Sequence, residues 1–210
     1  MGLENLSANA LAVVYSLPAL PIFCAGWLSQ IRADRCVRRL TDVDAGVASD
    51  VALAAFLKEV DLTDVEVVKS ENYMQNEYVA AQNKILLSPD TLGRRDVASV
   101  ALALRAGAQA VAERRSPEKP SRVRALHAAE NIAFWGAFSI LAFGIMSATL
   151  ATTLLGYGLV ALVYGLWRVR TKILREIDAV ALKFAKTNPA IPQETARLVE
   201  QALKAERVKF

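Results

Sequence analysis

Histidine and cysteine are almost missing from this chain. Its 210 residues include one histidine, His127, and two cysteines, Cys24 and Cys36. A lone imidazole cannot complete a catalytic zinc site, which takes three protein ligands. It also leaves no serine or cysteine with a histidine base to activate it. In one continuous helix the two cysteines would lie about 18 Å apart, and a disulfide needs Cα atoms within about 7 Å. They read as free thiols of a reducing compartment. No phosphate-binding glycine loop occurs; "LGYG" lies inside an apolar run. No Lys/Arg stripe is interleaved with aromatics, which excludes a nucleic-acid surface. Asp61, Asp64 and Glu66 cluster in a loop and read as a solvated surface.

Charge is also absent, but only locally. Asn5 to Ile31 and Asn131 to Trp167 contain no Asp, Glu, Lys or Arg, in a chain that is 54% hydrophobic with a net charge of +4. The first run has an apolar heart, Leu11 to Leu28, close to the ~20 residues that span a bilayer core. A signal peptide would begin with basic residues. Here the positive charges follow the run, as Arg32, Arg35, Arg38 and Arg39, which predicts a retained helix with its C-terminal end in the cytoplasm. Pro18 and Pro21 should kink it. The second run would be about 55 Å long as one helix, so it predicts a hairpin of two spans turning within Ser147 to Thr153. Glu130 precedes the hairpin, and Arg168, Arg170, Lys172 and Arg175 follow it, so both ends return to one side. Trp135, Tyr157, Tyr164 and Trp167 are expected at interfacial levels. Gly136, Gly144, Gly156, Gly158 and Gly165 would permit close helix packing. His127 is expected at the head of the hairpin.

Between the apolar runs, Gly46 to Val60 has helical periodicity with a cap at Ser49 or Asp50. Val65 to Lys69 is a strand candidate, and Asn76 to Ser88 reads as strand, turn at Gln82 and Asn83, strand. Ser88, Pro89 and Asp90 open the approach to a long helix from about Arg95. "SPEKPS", Ser116 to Ser121, breaks the chain. Beyond the hairpin, Arg168 to Lys186 is a basic amphipathic helix with Ile173, Ile177, Val180, Ala181 and Phe184 as its apolar stripe. "NPAIPQ" ends it, and a polar helix follows with Leu198, Ala202 and Leu203 on one face. The boundaries are 1–31 for the first membrane helix, 32–130 for a cytosolic part, 131–167 for the hairpin and 168–210 for the last helices.

In this order the elements resemble the bacterial membrane-bound neutral zinc metallopeptidase family. The family's β-element reads like D-H-Y-D-P and then V-x-L-S; here "NEYVAAQNKILLS" places Tyr78, Leu87 and Ser88 in that frame. Its long helix reads like A-V-A-A-H-E-A-G-H-A, against "ALALRAGAQA", Ala101 to Ala110. Its Glu-x-Asp-Ala segment, which supplies the third ligand, matches "EIDA", Glu176 to Ala179. The resemblance runs from Leu11 to about Ala202, and the family's last membrane helix has no counterpart. It implies a mostly α integral membrane protein with three transmembrane helices, a small cytosolic α/β zincin-like part and C-terminal amphipathic helices.

The chemistry of that family is not carried over. Its helix needs two histidines four residues apart with a glutamate base between them. Those positions are Arg105, Ala106 and Gln109 here, and Glu176 alone survives of the protein ligands. A salt bridge from Arg105 to Glu176 would replace the metal's charge and fix helix register. The resemblance therefore implies an inactive homologue with no cofactor, acting as a structural, regulatory or assembly subunit of a membrane protein complex; a membrane-bound hydrolase with a non-standard site is the alternative. Its expected partners are membrane lipids and other integral membrane proteins, with no nucleic acid. Its expected place is the bacterial inner membrane, N-terminus outside and soluble part cytoplasmic.

Overall fold

The computed structural model describes residues 7–73 and 75–208. The first six residues of the 1–31 segment and the last two of the 168–210 segment lie outside them. The elements are α1 (Ala8–Ser16), α2 (Ala19–Thr41), α3 (Ser49–Glu59), β1 (Glu66–Lys69), β2 (Glu77–Val79), β3 (Lys84–Leu87), α4 (Val97–Arg115), α5 (Glu118–Met146), α6 (Leu150–Thr187) and α7 (Gln193–Val208). They divide into two units: residues 1–29 with 122–171, and residues 30–121 with 172–210. Helices α2, α5 and α6 each contribute to both.

In the second unit the core is built on α4. Its sequence is mostly Ala, Val and Leu, and it is buried at positions 97–101, 103–108, 110 and 111. Asp96 caps the helix, accepting from the Ser99 N–H at 2.8 Å, while the Ser99 hydroxyl donates back to the Asp96 carboxylate at 2.8 Å. Helix α3 crosses α4 at Gly107, where a Cβ would sit 2.7 Å from Phe56 Cδ1 and 2.8 Å from Leu53 Cδ1, so a larger residue would force these buried side chains to shift. Phe56 also meets Phe184 of α6 edge to face, with centroids 5.1 Å apart. Ile177, Ala181 and Ala185 of α6 and Ala196, Val199, Ala202 and Leu203 of α7 complete the same cluster.

The sheet order is β1-β3-β2, with β1 parallel and β2 antiparallel to β3. Tyr78 faces Ile85 across the antiparallel pair. The turn between these strands is a short 3-10 segment, Ala80–Gln82, closed by Asn83 at φ +51°. Asparagine tolerates that left-handed conformation better than most residues. The expected cap of α3 is corrected: Ala48 occupies the cap position, and the Ser49 hydroxyl instead donates to the Thr91 carbonyl.

In the first unit, α1 and the apolar part of α2 are separated at Leu17 and Pro18, since proline has no N–H to continue the ladder. Pro21 falls in the first turn of α2, where backbone N–H groups have no intrahelical acceptor to lose. Helix α5 runs unbroken from Glu118, so "SPEKPS" interrupts the chain only at Ser116 and Pro117, and Pro120 sits in the first turn of α5. The turn into α6 covers residues 147–149. Among the described residues, α5 and α6 are each long and apolar enough to cross a membrane, and the bent α1–α2 pair makes a third candidate if it is one span. Much of their apolar surface is exposed, as at Trp135, Phe143, Met146, Leu154 and Leu162.

Candidate functional site

The polar centre of the second unit is a three-residue network. Arg105, in the middle of α4, donates from Nε to Asp178 Oδ1 at 2.7 Å and from Nη2 to Asp178 Oδ2 at 3.0 Å. The same Nη2 donates to the Leu203 carbonyl of α7 at 2.7 Å. Arg207, one turn further along α7, places Nε 2.8 Å from Asp178 Oδ2. The Arg105 and Asp178 side chains are only 10% and 4% exposed, which makes this a buried, bidentate ion pair. Burial pulls the Arg207 guanidinium below the usual arginine range; Asp178 opposes that shift, and Arg105 and Arg175 add to it by repulsion. One carboxylate thus joins α4, α6 and α7.

The expected bridge from Arg105 to Glu176 is not formed. Glu176 is exposed and pairs with Lys119 at 2.8 Å. Residues two apart on a helix point about 200° apart, so Glu176 and Asp178 cannot both face α4. Asp178 lies beside Ile177 and three residues before Ala181, both buried; the helical period of that apolar stripe is the signal that could single it out. Arg207 has no such signal in the sequence beyond following Leu203 by one turn.

Ala106 is fully buried and offers no proton acceptor on its side chain. Gln109 accepts the Tyr78 backbone N–H at 3.3 Å, tying α4 to β2. The Tyr78 hydroxyl donates to Asn83 Oδ1 at 2.8 Å, and Asn83 Nδ2 donates to the carbonyl and carboxylate of Asp64. Asp64 in turn pairs with Arg114. These positions do not fit a zinc ion: a guanidinium, a methyl group, an amide engaged by the backbone and a carboxylate turned toward Lys119 do not form a ligand set. Among the described residues no group of three or more His, Cys, Asp or Glu side chains is placed to hold a metal ion. His127 is exposed on α5.

In the first unit, Arg170 Nε lies 2.9 Å from both carboxylate oxygens of Glu130, and both side chains are buried. The pair clamps α5 to α6 at the open end of the hairpin. Nearer the turn, a Cβ on Gly144 would lie 2.6 Å from the Thr153 nitrogen, and one on Gly156 would lie 2.7 Å from Leu141 Cα. These two glycines let the helices touch. Among the described residues nothing lies within 4 Å of a Cβ added at Gly136, Gly158 or Gly165, so these three make no close helix contact there. Tyr157 donates its hydroxyl to the Tyr15 carbonyl at 2.6 Å.

No protein-family model, curated protein or solved structure matches this chain.

Proposed function

We propose that this chain is a membrane-anchored, non-catalytic pseudopeptidase that serves as a structural, regulatory or assembly subunit of a membrane protein complex. The observation that carries this reading is the Arg105–Asp178–Arg207 network. At the position corresponding to a ligand in the metallopeptidase helix stands a guanidinium whose Nε and Nη2 donate to a carboxylate and a carbonyl of the chain itself. Such an arrangement orders three helices and offers no free base or nucleophile. The order of helix, β-element, long helix, hairpin and acidic segment that underlies the resemblance supports the same reading. The apolar exposed surfaces of α5 and α6 support membrane anchoring. The arginines that follow the first apolar run and the hairpin favour a cytoplasmic α/β part, and the family resemblance implies a bacterial inner membrane.

The test is purification of the tagged full chain from its native membranes in mild detergent, with the mass and stoichiometry of the eluted species determined. Defined membrane proteins in a fixed ratio are expected; elution as a monomer overturns the subunit reading. Metal analysis and a peptide-cleavage assay on the same material address catalysis. Stoichiometric zinc together with chelator-sensitive cleavage overturns the non-catalytic reading.

A further inference from the structure

We infer that the outer face of α6, where the helix leaves its apolar segment, contacts the phosphate head groups of anionic phospholipids. Tyr164, Arg168, Lys172 and Arg175 are all exposed, and at 100° per residue they fall within about 80° of one another around the helix. Arg170, Leu174, Ile177 and Ala181 are buried and lie on the other side. Of the two carboxylates nearest in sequence to the three exposed cations, Glu176 pairs with Lys119 and also attracts Lys172, while Asp178 is taken by Arg105 and Arg207. Arg168 lies over the Tyr164 ring, 5.8 Å from its centroid, and Tyr164 stacks on Trp167 at 5.7 Å.

Along α6 the exposed surface therefore changes from Leu154, Leu155 and Leu162 to an aromatic step and then to cations. That profile matches the passage from hydrocarbon through the interface to the phosphate level. Helix α2 repeats it: Trp27 and Leu28 are exposed, Arg32, Arg35 and Arg39 follow on an exposed face, and Ala33 and Leu40 are buried behind them. A soluble acidic partner would account for the cations but not for the apolar surface leading into them.

This inference rests on the membrane-anchored reading. The full chain is placed in nanodiscs of equal phosphatidylcholine and phosphatidylglycerol, and the lipids retained around it are quantified after re-isolation. Phosphatidylglycerol is expected to be enriched about fivefold, the factor carried by one cation near an anionic surface. The triple variant Arg168→Gln, Lys172→Gln, Arg175→Gln should lose most of that enrichment. A control triple, Lys58→Gln, Lys69→Gln, Lys183→Gln, should keep it. Equal retention of both lipids by the native chain, or enrichment unchanged in the first triple, overturns the inference. Displacement by excess inorganic phosphate marks a free-anion site and also overturns it. Failure of the native chain to enter bilayers of either lipid overturns the membrane reading itself.

Discussion

Replacing Asp178 with asparagine should be the most damaging single change in the second unit. Asp178 accepts three charge-assisted contacts, two from Arg105 and one from Arg207. At about 1.5–3 kcal/mol each these would sum to more than 4 kcal/mol. Such sums overstate the loss, because Arg207, less deeply buried than Arg105 and Asp178, can turn toward water. Removing one partner of a buried pair costs about 3–5 kcal/mol, and that is the range expected here. For a unit of this size it corresponds to a fall of roughly 10–20 °C in melting temperature. The assay is thermal unfolding in detergent, read by near-ultraviolet circular dichroism, with amide exchange in α4 and α7 as a local probe. Glu176→Gln provides the contrast: its carboxylate is exposed on Lys119, and the melting temperature should stay within error of the native value. The reasoning is refuted if Asp178→Asn melts like the native chain, or if Glu176→Gln loses as much.

Three further outcomes follow from the same geometry. Gly156→Ala should destabilise the hairpin by about 1–3 kcal/mol because its Cβ meets the Leu141 backbone, whereas Gly158→Ala should be neutral or stabilising by up to about 1 kcal/mol; detergent-unfolding midpoints of the two variants check this. Arg170→Ala leaves Glu130 buried and uncompensated, with an expected loss of about 3–5 kcal/mol, and the exchanged pair Glu130→Arg with Arg170→Glu should recover part of it in the same measurement. Acid should weaken the second unit: hydrogen bonds from Arg114 and Asn83 hold Asp64 below its ordinary range, and those from Lys204 and Lys186 do the same for Glu200. Carboxylates lowered on folding contribute stability above their unfolded values, and that contribution is lost as pH falls through the lowered ones. Unfolding midpoints should therefore be flat from about pH 8 to 5 and decline below about pH 4.

Local patterns explain which parts of this fold are readable. The strand pair around Asn83 is legible because two short apolar stretches, Tyr78 with Val79 and Ile85 to Leu87, flank a residue suited to a left-handed turn. Helix α4 is legible as a long helix because the turn residues Ser88, Pro89 and Asp90 precede a stretch rich in Ala and Leu. The apolar run predicts the membrane-length parts of α5 and α6 because charge disappears over a bilayer's length, but not that α5 begins at Glu118 or that α6 continues unbroken to Thr187 through the amphipathic stretch. The partner of Arg105 is misassigned because motif matching follows Glu176, whereas burial follows helical phase and selects Asp178. Gly136, Gly158 and Gly165 look the same in sequence as Gly144 and Gly156; only the relative rotation of two helices separates contact from open surface. Arg207 escapes sequence reasoning because its role depends on how α7 lies on α4, which is a tertiary relation without a local signature.

The Arg105 network also sets an order of events during synthesis. Arg105 is separated from Asp178 by 73 residues and from Leu203 by 98. At about 5–20 residues per second, the ribosome delivers the last of these groups roughly 5–20 s after α4. Through that interval an Ala-, Val- and Leu-rich helix with an arginine at its centre has neither its counter-ion nor the apolar face of α7. The emerging chain must also make α5 and the apolar half of α6 before Asp178 appears. Closure of the second unit's core around Arg105 is thus a late step of synthesis.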